Sequence, residues 1–418
     1  MDRPEPNSSV RRYKAYISVF GTTQLHLRNP LVIAGWSVAF PGLGHLLLSK
    51  YLRGYLLFMW EIFVNLNEHI NLAILYSITG RFQMAKDVLD INWVMFYIPT
   101  YIFAVWDSYR TSVDLNHQYI LAAREDSEIK MFNMGSLEIN YLDKRTPWNA
   151  AAWSAMMPGI GQLLIHRIPA ALFIIIWFIV IAQLAKLLPA LHFTLLGQFA
   201  YAKSVLNPQW FLSVPSVYLF AIYDAYVNTV SKNNLFDWEE GKFLKKNYES
   251  KDFHMPMGKM DGSGESMYIL STFDQSNDLE LAIKEVQKKG IDRNKILDVS
   301  MDKKVNKRRL FDSIHSSDGL SLLDFPIVLA TIFCLIGSIY GFLLTWGPLL
   351  WGLIGMVIGF VLGLIIKLIM TKRDDDKVKN SNRTEVVLLI ECQEAQGEML
   401  KDLLWDFHAL GVRKLDLT

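Results

Sequence analysis

The sequence predicts a mostly α-helical membrane protein with a small α+β part. Three observations support this fold class: long apolar stretches, a tandem duplication, and two strand–helix–strand patterns near the C-terminus. The chain has 418 residues, 51% hydrophobic and 20% charged, with a mean hydropathy of +0.20. These values are too apolar for a typical soluble protein of this size. The net charge of +1 gives no indication of a nucleic-acid partner.

The membrane part contains a duplicated unit. Residues 28–116 align with residues 145–233 without a gap, at an offset of 117 residues. Apolar composition alone would not keep tryptophans, glycines and aspartates in one register, so the alignment indicates a duplication. The matched pairs include Trp36 and Trp153, Pro41 and Pro158, Gly42 and Gly159, Gly44 and Gly161, Trp60 and Trp177, and Asp107 and Asp224.

Each unit has three apolar stretches, which in the first unit are residues 31–48, 54–70 and 91–106. About 20 apolar residues are needed to cross a bilayer. The first stretch holds a proline and two glycines, which leave backbone groups unpaired. We therefore predict a bent or re-entrant first segment, with a full third span as the alternative. The structural turn residues are Pro41, Gly42, Gly44, Pro158, Gly159 and Gly161.

Two further features bear on how each unit lies in the membrane. Residues 82–89 and 199–206 are typical of short amphipathic helices at the interface. Both units end in the same Asp-x-Tyr signature followed by a polar segment, which favours an even number of crossings and one orientation for both. An odd number of crossings would invert the second unit.

The glycine-rich turn resembles that of a known family. Pro41-Gly42-Leu43-Gly44-His45, followed by Lys50 and Arg53-Gly54, is similar to the turn of the two-helix "TM-two" domain family, as is the terminal Asp-x-Tyr. The resemblance covers roughly the first 55 residues of each unit, in two tandem copies. The sequence departs from the family pattern at residues 46–48 and 170–171. The resemblance implies an architecture and no common enzymatic activity.

The C-terminal third is also duplicated. Residues 267–273, 278–289 and 295–299 have the pattern strand, helix, strand, and residues 385–392, 395–410 and 414–417 repeat it. Two such β-α-β halves predict one ferredoxin-like domain.

An apolar hairpin, residues 325–344 and 349–370, separates these halves. Its glycines recur every three or four residues, which lets helix backbones touch in lipid. Basic clusters at 303–304, 307–309 and 372–373 predict that both halves are cytoplasmic. The pattern over residues 264–418 is similar to small bacterial stress-induced membrane proteins with a glycine-zipper hairpin. The packing glycines are Gly337, Gly341, Gly352, Gly355, Gly359 and Gly363.

The predicted organisation places both termini in the cytoplasm of a bacterial cell, with the chain in its cytoplasmic membrane. The apolar stretch at 16–20 is shorter than a signal-peptide core of about 7–15 residues. The net basic charge of residues 1–30, beside the first apolar segment, favours the inside for the N-terminus. The predicted segments are a basic tail (1–30), membrane repeat 1 (31–116), a polar loop (117–147), membrane repeat 2 (148–233), a linker (234–263), the first β-α-β half (264–304), a basic linker (305–323), the transmembrane hairpin (324–371), a second basic linker (372–383) and the second half (384–418).

The main candidate site is a polar stripe in repeat 1, formed by Glu61, Asn65, Glu68 and His69. The spacing of four, seven and eight residues predicts one helical face. Repeat 2 has Phe178, Ala182, Ala185 and Lys186 at these positions, so the fold does not require the polarity. An ionisable residue at membrane depth indicates a function, here an ion or proton site. The alternative is a tilted helix whose polar face is wet or paired with a neighbour.

Asp107 and Asp224 are the acids near the end of the third stretch in each unit. Because they are duplicated with the fold, we favour a structural role as a helix cap or as the partner of a basic turn residue such as Lys50 or Arg167. Contact of Lys50, Arg53 and Arg167 with lipid headgroups is a further hypothesis.

The motif search favours a protein that is not an enzyme. The sequence has no P-loop, nucleophile elbow, zinc-protease or dinucleotide-binding motif. The two cysteines, Cys334 and Cys392, lack metal-ligand spacing. We expect no cofactor and no metal. The expected partners are the bilayer, including anionic lipids, and a protein or second copy through the glycine hairpin. The sequence favours a scaffold, sensor or regulator; the alternative is an ion or small-solute channel or transporter with a site at Glu61.

Overall fold

The computed structural model describes residues 12–248, 266–274, 277–302, 324–374, 384–393 and 396–415. It is 70% helical with small sheets, which confirms the helical class with a minor β part. The chain divides into a larger unit, residues 1–231 with 310–378, and a smaller unit, residues 232–309 with 379–418. The basic clusters at 303–304 and 307–309 lie outside the described residues.

The two repeats fold into matching series of helices. Repeat 1 contains α1 (Pro30–Ala39), α2 (Leu43–Leu47), α3 (Tyr51–Glu68), α4 (Ile70–Ile78), α5 (Phe82–Val88) and α6 (Ile91–Glu125). Repeat 2 contains α7 (Pro147–Met156), α8 (Ile160–Leu164), α9 (Ile168–Leu184), α10 (Leu187–Leu195), α11 (Phe199–Val205), α12 (Pro208–Phe211) and α13 (Val214–Tyr248).

The proline–glycine turn breaks the first segment of each repeat. Gly42 has a φ of 96°, and a Cβ there would lie 2.4 Å from the Gly54 carbonyl oxygen. Only glycine fits such a left-handed position in close contact with another backbone. The Val38 carbonyl oxygen accepts a hydrogen bond from Tyr101 on α6, whereas His45 on α2 reaches Asp107. The chain therefore reverses direction at this turn, and α2 lies back along α6, so the first segment is bent.

The second apolar stretch of each repeat bends before it reaches full length. His69 and its equivalent Lys186 adopt left-handed conformations that separate α3 from α4 and α9 from α10. The axes of α9 and α10 differ by 64°. Three described helices are long and apolar enough to cross a membrane, or up to five if each of two bent pairs forms one span. Several helices therefore could span a bilayer.

Two predicted connections are partly helical, which corrects the sequence boundaries. The predicted loop begins at residue 117, but α6 continues to Glu125; the predicted linker begins at 234, but α13 continues to Tyr248. Loss of apolar residues does not end a helix where good helix formers follow and no proline intervenes.

The predicted basic tail and polar loop also contain short strands that the sequence analysis missed. Strand β1 (Ala15–Ser18) pairs with β2 (Gly21–Gln24), and β3 (Phe132–Met134) pairs with β4 (Ile139–Tyr141). Strands of three or four residues are too short for a periodic signal to identify them.

The glycine hairpin consists of α15 (Asp324–Gly341) and α16 (Gly347–Asp374). A Cβ on any of its six packing glycines, named above, would lie between 2.2 and 2.6 Å from an atom of the opposite helix. The structure thus puts all six glycines at the contact between the two helices. In the rest of the larger unit, a buried apolar core joins the two repeats through Trp36, Phe58, Phe220 and Tyr223.

The described part of the smaller unit contains one four-stranded sheet, two complete α-helices and the C-terminal end of α13, which contributes Leu244 to the core. Its sheet order is β6-β7-β5-β8, and every neighbouring pair is antiparallel. Strands from before and after the glycine hairpin therefore alternate in the sheet. The elements are β5 (Ser266–Asp274), α14 (Asn277–Lys288), β6 (Ile296–Asp302), β7 (Thr384–Gln393), α17 (Gly397–Asp406) and β8 (Gly411–Leu415).

Candidate functional site

Each repeat contains a polar cluster around its aspartate. In repeat 1, His45 Nε2 lies 3.0 Å from Asp107 Oδ2. In repeat 2, Gln162 Nε2 donates to Asp224 Oδ2 at 3.1 Å. His45 and Gln162 are equivalent positions on the helix that follows the glycine turn. The duplication therefore preserves a contact between this turn and the long helix while changing the donor.

The cation beside the aspartate comes from different positions in the two clusters. Arg53 Nη1 lies 3.1 Å from Asp107 Oδ2, and Arg167 Nη1 lies 2.6 Å from Asp224 Oδ1. Arg53 is equivalent to Ala170, whereas Arg167 is equivalent to Lys50. The sequence analysis named Lys50 and Arg167 as candidate partners of the aspartates. Arg167 pairs with Asp224, but Asp107 pairs with Arg53 and not with Lys50. Both aspartates lie inside long helices and are not terminal caps.

The repeat-2 aspartate cluster also links the two repeats. Arg167 Nη2 donates to the Leu46 carbonyl oxygen of repeat 1 at 3.2 Å. Burial alone would lower the pKa of Arg167, but the Asp224 carboxylate outweighs this effect and raises it above its ordinary value. The cluster is therefore a buried ion pair at the interface between the repeats.

A second buried arginine extends this interface. Arg28 Nη2 donates to Asn228 Oδ1 at 3.0 Å, and Asn228 Nδ2 donates to Asp224 Oδ1 at 2.7 Å. Burial lowers the pKa of Arg28 to about 10. Tyr223, the residue before Asp224, donates a hydrogen bond from its hydroxyl to Asp324 Oδ1 at 2.6 Å. This bond joins α13 to the glycine hairpin.

Glu61 is the most unusual member of the predicted polar stripe. Its side chain is buried in α3, with the residue only 5% exposed. Its Oε1 accepts hydrogen bonds from Asn65 Nδ2 at 2.7 Å and from the Tyr97 hydroxyl at 3.4 Å. Its Oε2 has no hydrogen-bond partner among the described residues. A buried carboxyl oxygen without a partner is costly, so this position is a candidate binding atom.

The other members of the stripe have different roles. Asn65 Oδ1 accepts from the Asn71 backbone N–H at 3.1 Å, at the start of α4. Glu68 Oε2 accepts from the Asp90 backbone N–H at 2.8 Å, just before α6. These contacts satisfy donors that helix starts leave unpaired. His69 is exposed at the bend between α3 and α4. The structure thus brings Glu61 and Asn65 together and leaves His69 outside the buried stripe.

A cleft of about 190 Å³ lies beside the bend. Repeat 2 contributes to it through Gln209, whose Nε2 donates to Asn65 Oδ1 at 3.0 Å. Amide and imidazole groups in such a cleft suit a small polar molecule or water. Sequence reasoning missed Tyr97 and Gln209 because helical spacing reports one helix at a time. The lining residues are Asn65, Leu66, His69, Leu72, Asn207, Pro208, Gln209 and Trp210.

The described residues contain no group of three or more histidine, cysteine or acidic side chains that could hold a metal ion. Comparison of the chain with protein-family models, curated proteins and solved structures gives no match.

Proposed function

We propose that this protein is a non-enzymatic, multi-pass membrane scaffold that senses or regulates through its smaller unit. The proposal places the chain in the bacterial cytoplasmic membrane with both termini and the smaller unit on the cytoplasmic side. Its architecture would combine tandem units of the "TM-two" kind with a glycine-zipper hairpin. The strand order β6-β7-β5-β8 supports a ferredoxin-like assignment for the smaller unit, because two β-α-β halves pair in this way.

One observation supports the sensor role above all others. The central strands β5 and β7 pair along their full length, from Ser266 with Gln393 to Asp274 with Glu385, although the glycine hairpin separates them in the chain. The sheet can form only when the hairpin returns the chain to the same side. Any ligand or partner that changes the stability of the sheet would therefore act on the strands that precede and follow the hairpin in the chain.

The packing of the larger unit favours a scaffold rather than a wide channel. Trp36 lies with its ring centre 5.3 Å from the ring centres of both Phe220 and Tyr223. Side chains of this size fill the contact between repeat 1 and α13 and leave no width for an aqueous path there.

Hydrogen exchange in lipid nanodiscs tests the coupling between sheet and hairpin. Ile390→Asn puts a polar group in the fully buried centre of β7 and should destabilise the sheet. We expect faster backbone exchange in α15 and α16 as well as in the sheet. Lys288→Ala, an exposed change in the same unit, is the matched control. Unchanged exchange in the hairpin of the Ile390→Asn variant would refute the sensor proposal.

Labelling from the two sides of the membrane tests the topology. Asp114 and Ser231 are equivalent positions, and Asp114→Cys and Ser231→Cys should react from the same side if the repeats share one orientation. The contacts with α13 support this orientation, because α1 and α7 both run antiparallel to it. Arg28 and Ala39, at the two ends of α1, contact Asn228 and Ser216. Trp148 and Ala155, at the two ends of α7, contact Tyr226 and Tyr218. Reaction from opposite sides would refute it.

A second candidate function is proton or cation binding at Glu61, within a channel or transporter. The observation in its favour is that Oε2 of this buried side chain has no hydrogen-bond partner in the part of the chain that the structure describes. We expect proteoliposomes to show proton or cation flux that Glu61→Gln abolishes, because the amide keeps the shape but cannot ionise. Asp87→Asn, on the exposed face of α5, should keep the flux. No flux with the unmodified protein would exclude this function.

A further inference from the structure

The hairpin formed by β3 and β4 has an apolar outer face. Phe132 pairs with Tyr141 and Met134 pairs with Ile139, so these four side chains lie on one side. Leu137 occupies the turn between the strands. All five are exposed, from 44% for Tyr141 to 77% for Leu137. The described residues of the chain leave this apolar face uncovered.

The inner face of the same hairpin is polar. Asn140 is 2% exposed, and its Nδ2 donates to the Ser18 carbonyl oxygen at 2.7 Å. Asn133 Nδ2 donates to the Ile17 carbonyl oxygen at 2.9 Å. A two-stranded sheet in water normally buries its apolar side and exposes its polar side. This hairpin does the opposite, which indicates that its outer face contacts an apolar medium.

The position of the hairpin identifies that medium. Glu138 Oε1, in the turn, lies 3.6 Å from Nδ1 of His166, which is two residues before the start of α9. Helix α9 then exposes Leu172, Ile176 and Ile179 along one face. Because α9 belongs to a bent pair apolar enough to cross a membrane, this face is suited to lipid. The hairpin therefore adjoins the level at which a lipid-facing helix leaves the bilayer.

We propose that the outer face of the β3–β4 hairpin inserts into the interfacial layer of the bilayer. Phenylalanine, tyrosine and aliphatic side chains are favourable at this depth, where the polar tip of tyrosine meets headgroups. Surface elements with one apolar face bury that face about 5–10 Å into this boundary. The hairpin would then fix the depth and tilt of repeat 2. The inference rests on α9 crossing the membrane and is independent of the sensor role.

Spin labelling in vesicles tests the proposal. In a Cys334→Ser, Cys392→Ser background, Leu137→Cys carries a nitroxide in phosphatidylcholine–phosphatidylglycerol vesicles. Accessibility to oxygen, which concentrates in lipid, is compared with that to a water-soluble nickel chelate. Ile176→Cys is the lipid control and Lys288→Cys the water control. We expect the Leu137 label to favour oxygen and to resemble Ile176.

A second label at Met134→Cys gives an independent measurement on the same face. We expect the two hairpin labels to agree. Preference for the nickel chelate at both sites would overturn the proposal, and so would protection from both reagents, which indicates a protein partner. If the Ile176 control itself fails to favour oxygen, α9 does not face lipid and the premise of the proposal fails, whereas the hydrogen-exchange test of the sensor role is unaffected.

Discussion

The two repeats keep the same aspartate but neutralise it in different surroundings. Asp107 in repeat 1 pairs with Arg53, whose side chain is 59% exposed; Asp224 in repeat 2 pairs with Arg167, whose side chain is 5% exposed. The two arginines occupy positions three residues apart in the aligned repeats. Three residues are close to one helical turn, so a side chain from either position reaches the aspartate. The fold thus requires a cation near the aspartate, and either of the two positions can supply it.

The largest expected difference between the clusters follows from removing the arginine. Arg167→Ala leaves the Asp224 carboxylate buried without its cation, and we expect a loss of about 3–5 kcal/mol in the free energy of unfolding. Arg53→Ala removes a largely exposed pair and should cost only about 0–1 kcal/mol. Denaturant titration in mixed micelles measures both values. Equal losses would show that the clusters do not differ in burial as described.

The glycine turns provide the next test. Gly42→Ala forces a side chain into a left-handed conformation, at a cost of about 1–2 kcal/mol, and puts its Cβ 2.4 Å from the Gly54 carbonyl oxygen. At Gly159 the 2.4 Å contact is with the Ile175 side chain, and the nearest backbone atom, the Ala171 carbonyl oxygen, is 2.9 Å away. Overpacking against rigid backbone adds about 1–3 kcal/mol. We expect a lower melting temperature for Gly42→Ala than for Gly159→Ala; the reverse order would contradict this account.

The bend after α3 gives a smaller expected difference in the free energy of unfolding between the repeats. Asn65→Ala removes the side chain that accepts from the Asn71 backbone N–H, and loss of such a cap costs about 0.5–2 kcal/mol. Repeat 2 bends at the same place with Ala182 at the equivalent position. Asn67→Ala, two residues away on the exposed side of the same helix, is the control and should change stability by less than about 0.5 kcal/mol. Equal effects of the two changes would remove the capping role of Asn65.

Much of the architecture could be predicted because it repeats or has strong periodicity. The sequence indicated both helical repeats, their broken first segment and the order of strands and helices around the hairpin. The helix ends at Glu125 and Tyr248 were missed, because polar residues with good helix propensity continue a helix beyond its apolar part. The β3–β4 hairpin was missed because each strand has three residues.

The candidate site could be predicted only in part, since its contacts are between helices. Spacing put Glu61 and Asn65 on one face, but it could not identify Tyr97 or Gln209, which approach from other helices. Spacing also could not show that Glu61 Oε2 lacks a hydrogen-bond partner among the described residues whereas Glu68 Oε2 accepts from the Asp90 backbone N–H, because both are glutamates on the same helix. The partner of Asp107 was uncertain for the same reason: Lys50 and Arg53 lie on adjacent turns.

Exchange of the cation position in repeat 1 gives the smallest expected effect and the sharpest test of the comparison. The double variant Lys50→Arg, Arg53→Ala gives repeat 1 the arrangement of repeat 2, where the arginine stands at the first of these positions. If a cation near the aspartate is sufficient, Arg53→Ala alone loses up to about 1 kcal/mol and the added arginine restores stability to within about 0.5 kcal/mol of the original protein. The same denaturant titration measures this. A control with Lys50→Arg alone detects any gain that does not depend on Asp107. Failure of the double variant to recover would mean that the position of the arginine, and not only its charge, is fixed by the contacts around each turn.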